Sequence, residues 1–575
     1  MSRRLGAALA LTSSLVLGAA GCGDEGRGRL GDLCTRGPEC ASGRCDERTC
    51  KARDPGGPGD PCTHYLQCRS EHCSAGRCAA GLRGAGAPCS DDLQCLAGRC
   101  LEGSCGTAGT TDGGASEAGA TDGGPGDATV SDGGPGDGAA GDLAADGPGA
   151  DLSQGPAAQV SWAQGFGGAS SDDVGDLVID ASGNIYLTGY FRETIDFGGQ
   201  TLRLAKDTGD GYVASFTALG VHRWSQILGG AADGAGRGLA VGTDGYLYLT
   251  GSDGGLLLAR YELATGATGW ARTFEGGRGT QLLLDDGGNL YLAGSFSGTL
   301  DLGGAQPLDS TEVGDSAGFI ASFDCSDGGH RWSRRAGGSG GAGLARDSAG
   351  NLFLAARLSS RDTPVDFGGD AWTTLGTDVV VASYAGSDGT HRWSNKYGGW
   401  SEDQVNGLAV DSQGNLYITG YFRGVADFGG GVLSSAGGLE GFVASYRGSD
   451  GAHRWSRKWG GVGDEQGQGL ALHPNGELVL GGAFQDTAQL GTILLDTAGH
   501  YDVFIAHLDP GSGSFLRAVR SGGPEEELPA VMALDASGTS HLAGTFPRTA
   551  DFGGVLLENV NPGLLDDIFL LQVAP

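Results

Sequence analysis

The sequence predicts an all-β protein built on one repeated four-stranded antiparallel unit. Three observations predict it. Short apolar runs, separated by turns rich in Gly, Asp and Ser, recur through the last three quarters of the 575 residues. No segment there holds a 3.6-residue period over a helix length. The runs carry apolar side chains on both faces, which calls for a covering sheet above and another below.

The stretch from Gly407 to Gly461 is the clearest copy. Leu408-Ala409-Val410 forms its first run, and Asp411-Ser412-Gln413-Gly414 is a turn in which Asp caps its own backbone and Gly accepts positive φ. Asn415-Leu416-Tyr417-Ile418-Thr419 is a second run of β-forming residues. A longer loop carries Asp427-Phe428-Gly429-Gly430, and Phe442-Val443-Ala444-Ser445-Tyr446 follows as the third run. After the Ser449-Asp450-Gly451 turn, His453-Arg454-Trp455-Ser456 begins the fourth.

Copies of the fourth run fall at Trp162, Trp224, Trp270, Trp332, Trp393 and Trp455, with Leu516 expected in the Trp place of the last. The steps are 62, 46, 62, 61, 62 and 61 residues, and the short step lacks the Asp-Phe-Gly-Gly loop. Seven copies predict a seven-bladed β-propeller. Its phase is offset: the region enters on a fourth-run motif at Trp162 and leaves on a third-run motif, Ile568 to Val573. An N-terminal strand therefore closes the ring and removes its open edges. The text Asp-x-x-Gly-Asn-Leu/Ile-Tyr-Leu/Ile-Thr-Gly, followed by Asp-Phe-Gly-Gly, resembles the bacterial SBBP repeat. That resemblance covers 158–575, implies the seven-bladed fold and brings no catalytic residues.

Ahead of this region lie four further segments. Residues 1–21 read as a lipoprotein signal peptide, with Arg3 and Arg4 before the apolar run from Leu5 to Gly18. Ala19-Ala20-Gly21-Cys22 resembles the bacterial lipobox, which implies lipidation of Cys22 and residence in the cell envelope, at the outer membrane or surface. The rival is an ordinary signal peptide cut after small residues. A short tether occupies 22–33.

Residues 34–105 hold three cysteine sets of identical spacing: Cys34, Cys40, Cys45 and Cys50; Cys62, Cys68, Cys73 and Cys78; Cys89, Cys95, Cys100 and Cys105. Exported, dense and even in number, they read as two disulfides per set, with the pairing open; zinc is the rival. The spacing resembles cysteine-rich repeats of the Dickkopf N-terminal type. Residues 106–157 form a Gly-, Ala- and Asp-rich linker whose charges are all negative. It is too polar to order itself and would span about 40 Å as a coil. Cys325, at a turn position held by Gly448 in the reference unit, is expected to be an idle thiol.

The net charge of −32 argues against nucleic acid, because phosphate binding needs a basic face. The innermost runs contain one charge, Arg346, and offer no acid, base and nucleophile together. The recurring His222, His330, His391 and His453 are expected to pack turns at the periphery. No cofactor is predicted. The candidate binding face lies in the loops leading into the inner runs, at Asp172, Asp173, Trp400, Glu402, Asp403, Asp464, Glu465, Glu525 and Glu526. Tyr190-Phe191-Arg192 and Tyr421-Phe422-Arg423 are placed in loops on the same side. Acidic pairs with nearby aromatics suit a protein or glycan ligand, or a cation. These features favour a lipid-anchored, non-catalytic binding or scaffolding head over two alternatives: a propeller enzyme (quinoprotein-like or lyase-type) and a purely structural component.

Overall fold

The computed structural model describes residues 159–574 apart from 169, 205–208, 230–233, 311–315, 339–340, 362 and 561–565. It also gives the backbone of six two-residue strands between 45 and 105. The lipidation site, the linker and the remaining cysteines lie outside the described residues. The chain divides into two units, Met1–Gly141 and Asp142–Pro575.

In the first unit the six short strands form three antiparallel hairpins, one in each cysteine set. The third and fourth cysteines of every set face each other in register: Cys45 opposite Cys50, Cys73 opposite Cys78, Cys100 opposite Cys105.

The second unit is all-β among its described residues. Its strands fall into successive antiparallel sets of four. In the fifth set Asp403–Val410 pairs with Asn415–Asp427, which pairs with Val432–Arg447, which pairs with His453–Trp459. The central strands of each set bury both faces, as the two-sided apolar pattern requires. The core therefore lies between sets: Tyr417, Val443 and Trp455 pack on Leu478, Leu480 and Phe504 of the next.

First strands pack against one another in sequence. Asp173–Ile179 touches Ala235–Val241, which touches Gly277–Leu284, then Gly341–Arg346, Asp403–Val410, Glu465–Leu472 and Leu528–Leu534. Leu528–Leu534 in turn packs on Asp173–Ile179. The last set takes its fourth strand from the N-terminal side, where Val160–Gly168 pairs antiparallel with Asp567–Val573.

Two expectations need correction. The Asp-Phe-Gly-Gly segment is a β-hairpin, not a loop: in the fifth set Val425, Ala426 and Asp427 pair with Ser434, Leu433 and Val432. Its Phe drives this, since Phe428 is fully buried and stacks on Phe442 with ring centroids 3.9 Å apart. Second, Leu516 does not stand in the Trp place. In the fifth set Trp455 faces Ser445 across a bulge, and the matching register in the sixth sets Arg517 opposite His507. The same bulge stands in both sets, so the register places Arg517, 62 residues after Trp455, where a count of 61 had placed Leu516.

Candidate functional site

The repeated polar residues are consumed by the fold. Asp411 Oδ1 accepts the Gln413 and Asn415 amides, and its Oδ2 accepts Asn415 Nδ2 and the Tyr417 hydroxyl. Those hydrogen bonds hold its carboxyl below the usual range against an opposing desolvation by burial. Asp180 and Asp285 repeat the arrangement.

The peripheral histidines pack against Asp-Phe-Gly-Gly hairpins. The His453 ring abuts Gly430, and His222, His330 and His391 lie 3.1, 3.1 and 3.0 Å from the hydroxyls of Ser225, Ser333 and Ser394. Burial lowers the pKa of all four histidines. Arg454 bonds the Ser445 hydroxyl on the third strand and the Tyr417 hydroxyl on the second.

Five indoles tie their sets to the next, while the buried Trp162 Nε1 has no hydrogen-bond partner among the described residues. Trp224, Trp270, Trp332, Trp393 and Trp455 donate Nε1 to the carbonyls of Leu263, Cys325, Gly386, Gly448 and Pro510, at 2.9–3.2 Å. Cys325 thus serves through its main chain. Its thiol is buried and pushed up to about 11, chiefly by desolvation, so it is protonated at neutral pH. Arg346 leaves the inner strand and reaches Asp285 of the neighbouring turn at 3.7 Å.

The candidate acidic face divides in two. Asp172, Asp403 and Glu465 are buried, at 2%, 0% and 0% exposure. Asp173, Trp400 and Glu402 are exposed, and Asp464, Glu525 and Glu526 are half-buried. The placement of Asp172, Asp403 and Glu465 on an open binding face is therefore corrected: they are buried, and Glu527 adds a fourth. A residue leading into the inner strand alternates between solvent and core, so adjacent acids cannot both face out. The buried carboxylates brace their own loops: Asp403 accepts the Gly399 amide, Glu465 that of Gly461 and Glu527 that of Gly523. Phe191 and Phe422 are likewise strand residues with no exposure, not loop residues.

Facing each buried acid is a second one that sequence reasoning missed. Asp378 and Asp567 open third strands, Glu440 and Asp502 lie within them just ahead of the apolar run, and all four are at most 2% exposed. Three have a cation: Lys396 at 2.6 Å, Lys458 at 2.9 Å and Arg520 at 2.9 Å. A signal existed, in an acid two residues before the apolar third run and a Lys or Arg three residues after the Trp position.

At the fourth seam Gly165 stands in the cation's place. It faces Phe569 as Lys396 faces Val380. Asp172 there is pushed up to about 8, first by burial and then by the Asp567 carboxylate, and Asp567 to about 6, chiefly by burial. Burial is also the main cause that lifts Asp403 to about 7 and Glu465 and Glu527 to about 8.

The outward groups form a polar surface. Glu402 accepts from Gln404 and, at 3.4 Å, from the Tyr421 hydroxyl, and Arg357 donates to Gln404 at 2.8 Å. Asp464 accepts the Leu439 amide and the Tyr501 hydroxyl. Among the described residues no group of three or more His, Cys, Asp or Glu is arranged to hold a metal ion.

Comparison with known proteins adds the following. No curated protein matches the chain. Among solved structures it is similar to U3-55K (TM-score 0.42, 10% identity, covering 72% of this chain and 99% of that one). It is also similar to the WD40 β-propeller domain of Doa1 (0.38, 9%, 72% and 97%) and to the quinohemoprotein alcohol dehydrogenase of Comamonas testosteroni (0.39, 11%, 72% and 76%). Residues 389–421 match the SBBP family, described as a beta-propeller repeat; the match runs from the Gly389 turn through Trp400 and Asp403 to Tyr421. Among its described residues the chain is all-β, and over residues 389–421 it is similar to the SBBP beta-propeller repeat.

Proposed function

We propose that this is a lipid-anchored protein of the bacterial cell envelope whose seven-bladed β-propeller acts as a non-catalytic binding or scaffolding head. The ring reading is supported by the pairing of Val160–Gly168 with Asp567–Val573 and by the packing of Leu528–Leu534 on Asp173–Ile179. Trp162 fits it too. It packs on Gly220 of the first set as Trp393 packs on Gly451 of the fifth. Anchoring is supported by the basic and apolar N-terminal segments ending at Cys22.

One observation carries the head reading. The repeated His, Asp and Trp residues are tied into structural bonds, while the groups left facing solvent, Trp400 and Glu402 above all, differ from copy to copy. A rigid repeat with variable loops is a platform for recognition.

Crosslinking mass spectrometry on intact cells tests it, with the wild-type chain beside a Glu402→Gln, Asp464→Asn double variant. A partner captured by the first and lost by the second supports the reading. Absence of any partner, or capture unaffected by the variant, overturns it. Asp403 and Glu465 are unsuitable for that variant, because neutralising a buried brace tests folding.

A further inference from the structure

Three of the loops leading into inner strands share one construction. Each is braced by a buried carboxylate four residues after a glycine amide, and each is stitched to the backbone just ahead of the preceding set's apolar third run. In the first of them Thr377 donates to the Ser401 carbonyl at 3.1 Å and Asp403 to the Thr377 carbonyl at 2.8 Å. Gly438 and Gly463 join the second at 3.2 Å, and Glu527 and Tyr501 the third at 3.0 Å. The tip residue differs: Trp400, Val462 and Pro524.

At the first tip an indole stands 66% exposed, unusual for a large apolar side chain on a rigid loop. Beside it opens a cleft of about 540 Å³, in the range of small-ligand sites. Leu375, 51% exposed, shares the rim with Arg361 and Asp427. Deeper in, Thr374 is 5% exposed and its hydroxyl has no hydrogen-bond partner among the described residues. Lys396, itself exposed, also lines the cleft and is paired with Asp378.

We propose that this cleft is a saccharide-binding site with the Trp400 indole as its stacking platform. The proposal rests on the binding-head reading and names the ligand class. An uncharged polyhydroxy ring suits the chemistry best. Its C–H face covers apolar indole surface, and its hydroxyls both donate and accept, as a lining of guanidinium, carboxylate and hydroxyl requires. A cationic ligand would gain from the indole face but would meet Arg361 and Lys396. An anionic one would meet Asp427, Asp378 and a chain of net charge −32. The stitched backbone presents the indole already ordered, which lowers the cost of binding.

The test applies the detergent-solubilised full-length protein to an array of immobilised oligosaccharides of glucose, mannose, galactose and N-acetylglucosamine. Calorimetry then measures the best ligand. Trp400→Ala should weaken it by about tenfold or more with an unchanged unfolding temperature, Arg361→Ala should weaken it less, and Val462→Ala should leave it unaltered. Retention of no saccharide, or full affinity in Trp400→Ala, overturns the site. An octalysine peptide bound through Trp400 instead of any sugar overturns the ligand class. A cellular partner lost in the Glu402 and Asp464 double variant but kept in Trp400→Ala leaves the head reading standing while this site falls.

Discussion

The indole Nε1 of Trp393 donates to the carbonyl of Gly448, 2.9 Å away in the following set of strands. The same indole packs on Gly451, whose φ of +72° no bulkier residue adopts easily. One side chain thus fixes both the turn it covers and the seam between two sheets. Trp393→Phe keeps most of the packing and removes the donor. We expect it to cost about 1 kcal/mol in guanidinium unfolding. A change below a few tenths would show that the bond contributes nothing.

Asp172 gives the protein a pH dependence of stated sign. Its acid form is favoured in the folded chain, at about 8 against 3.8. The resulting stability is complete below about 3.8 and is lost as pH rises through about 8. Asp403, Glu465 and Glu527 act in the same direction. Calorimetric unfolding should therefore show a falling transition temperature between pH 5 and 9. Asp172→Asn should be more stable than the parent at pH 9 and close to it at pH 5; the opposite order would refute the assignment.

Gly165→Lys should supply the cation that the Asp172–Asp567 seam lacks. Space exists, since a Cβ there meets only Phe546 and Leu557, at 3.4 Å and beyond. A gain of about 1 kcal/mol at pH 8, vanishing at pH 5, is the expected outcome. A variant equally stable or less stable at pH 8 would show that Lys cannot reach the pair as Lys396 reaches Asp378.

Removing a cation should do the reverse. Arg520→Met leaves Asp502, with 0% side-chain exposure, without its partner at 2.9 Å. The loss should be about 2–3 kcal/mol in denaturant unfolding at pH 8, reduced from the fully buried figure because Arg520 keeps 28% exposure. Glu402→Gln, by contrast, changes an exposed group and should stay within about 0.5 kcal/mol.

Cys22→Ala should release the protein from membranes into the soluble fraction. Continued sedimentation with membranes would refute lipid anchoring.

Much of the architecture was legible because it repeats. Asp411, Asn415 and Tyr417 form one hydrogen-bonded turn, and a local turn needs only neighbours in sequence. The apolar pattern on both faces of Asn415–Asp427 likewise follows from period-two geometry. The candidate site was less legible. Glu402 and Asp403 look alike in sequence, yet one lies in solvent and the other in a seam whose second acid, Asp378, is 25 positions earlier.

By itself the sequence determined the four-stranded unit, its punctuation and the offset that leaves the last set taking its fourth strand from Val160–Gly168. Each of these is set by local turn chemistry and by the alternation of side chains along a strand. Tertiary structure alone decided which acids face inward, that Arg517 and not Leu516 holds the Trp place, and that Trp400 overlooks a cleft. Burial and cavity shape arise where separate sets meet, and bulge register where two strands pair, so each depends on residues that no single strand's alternation brings together.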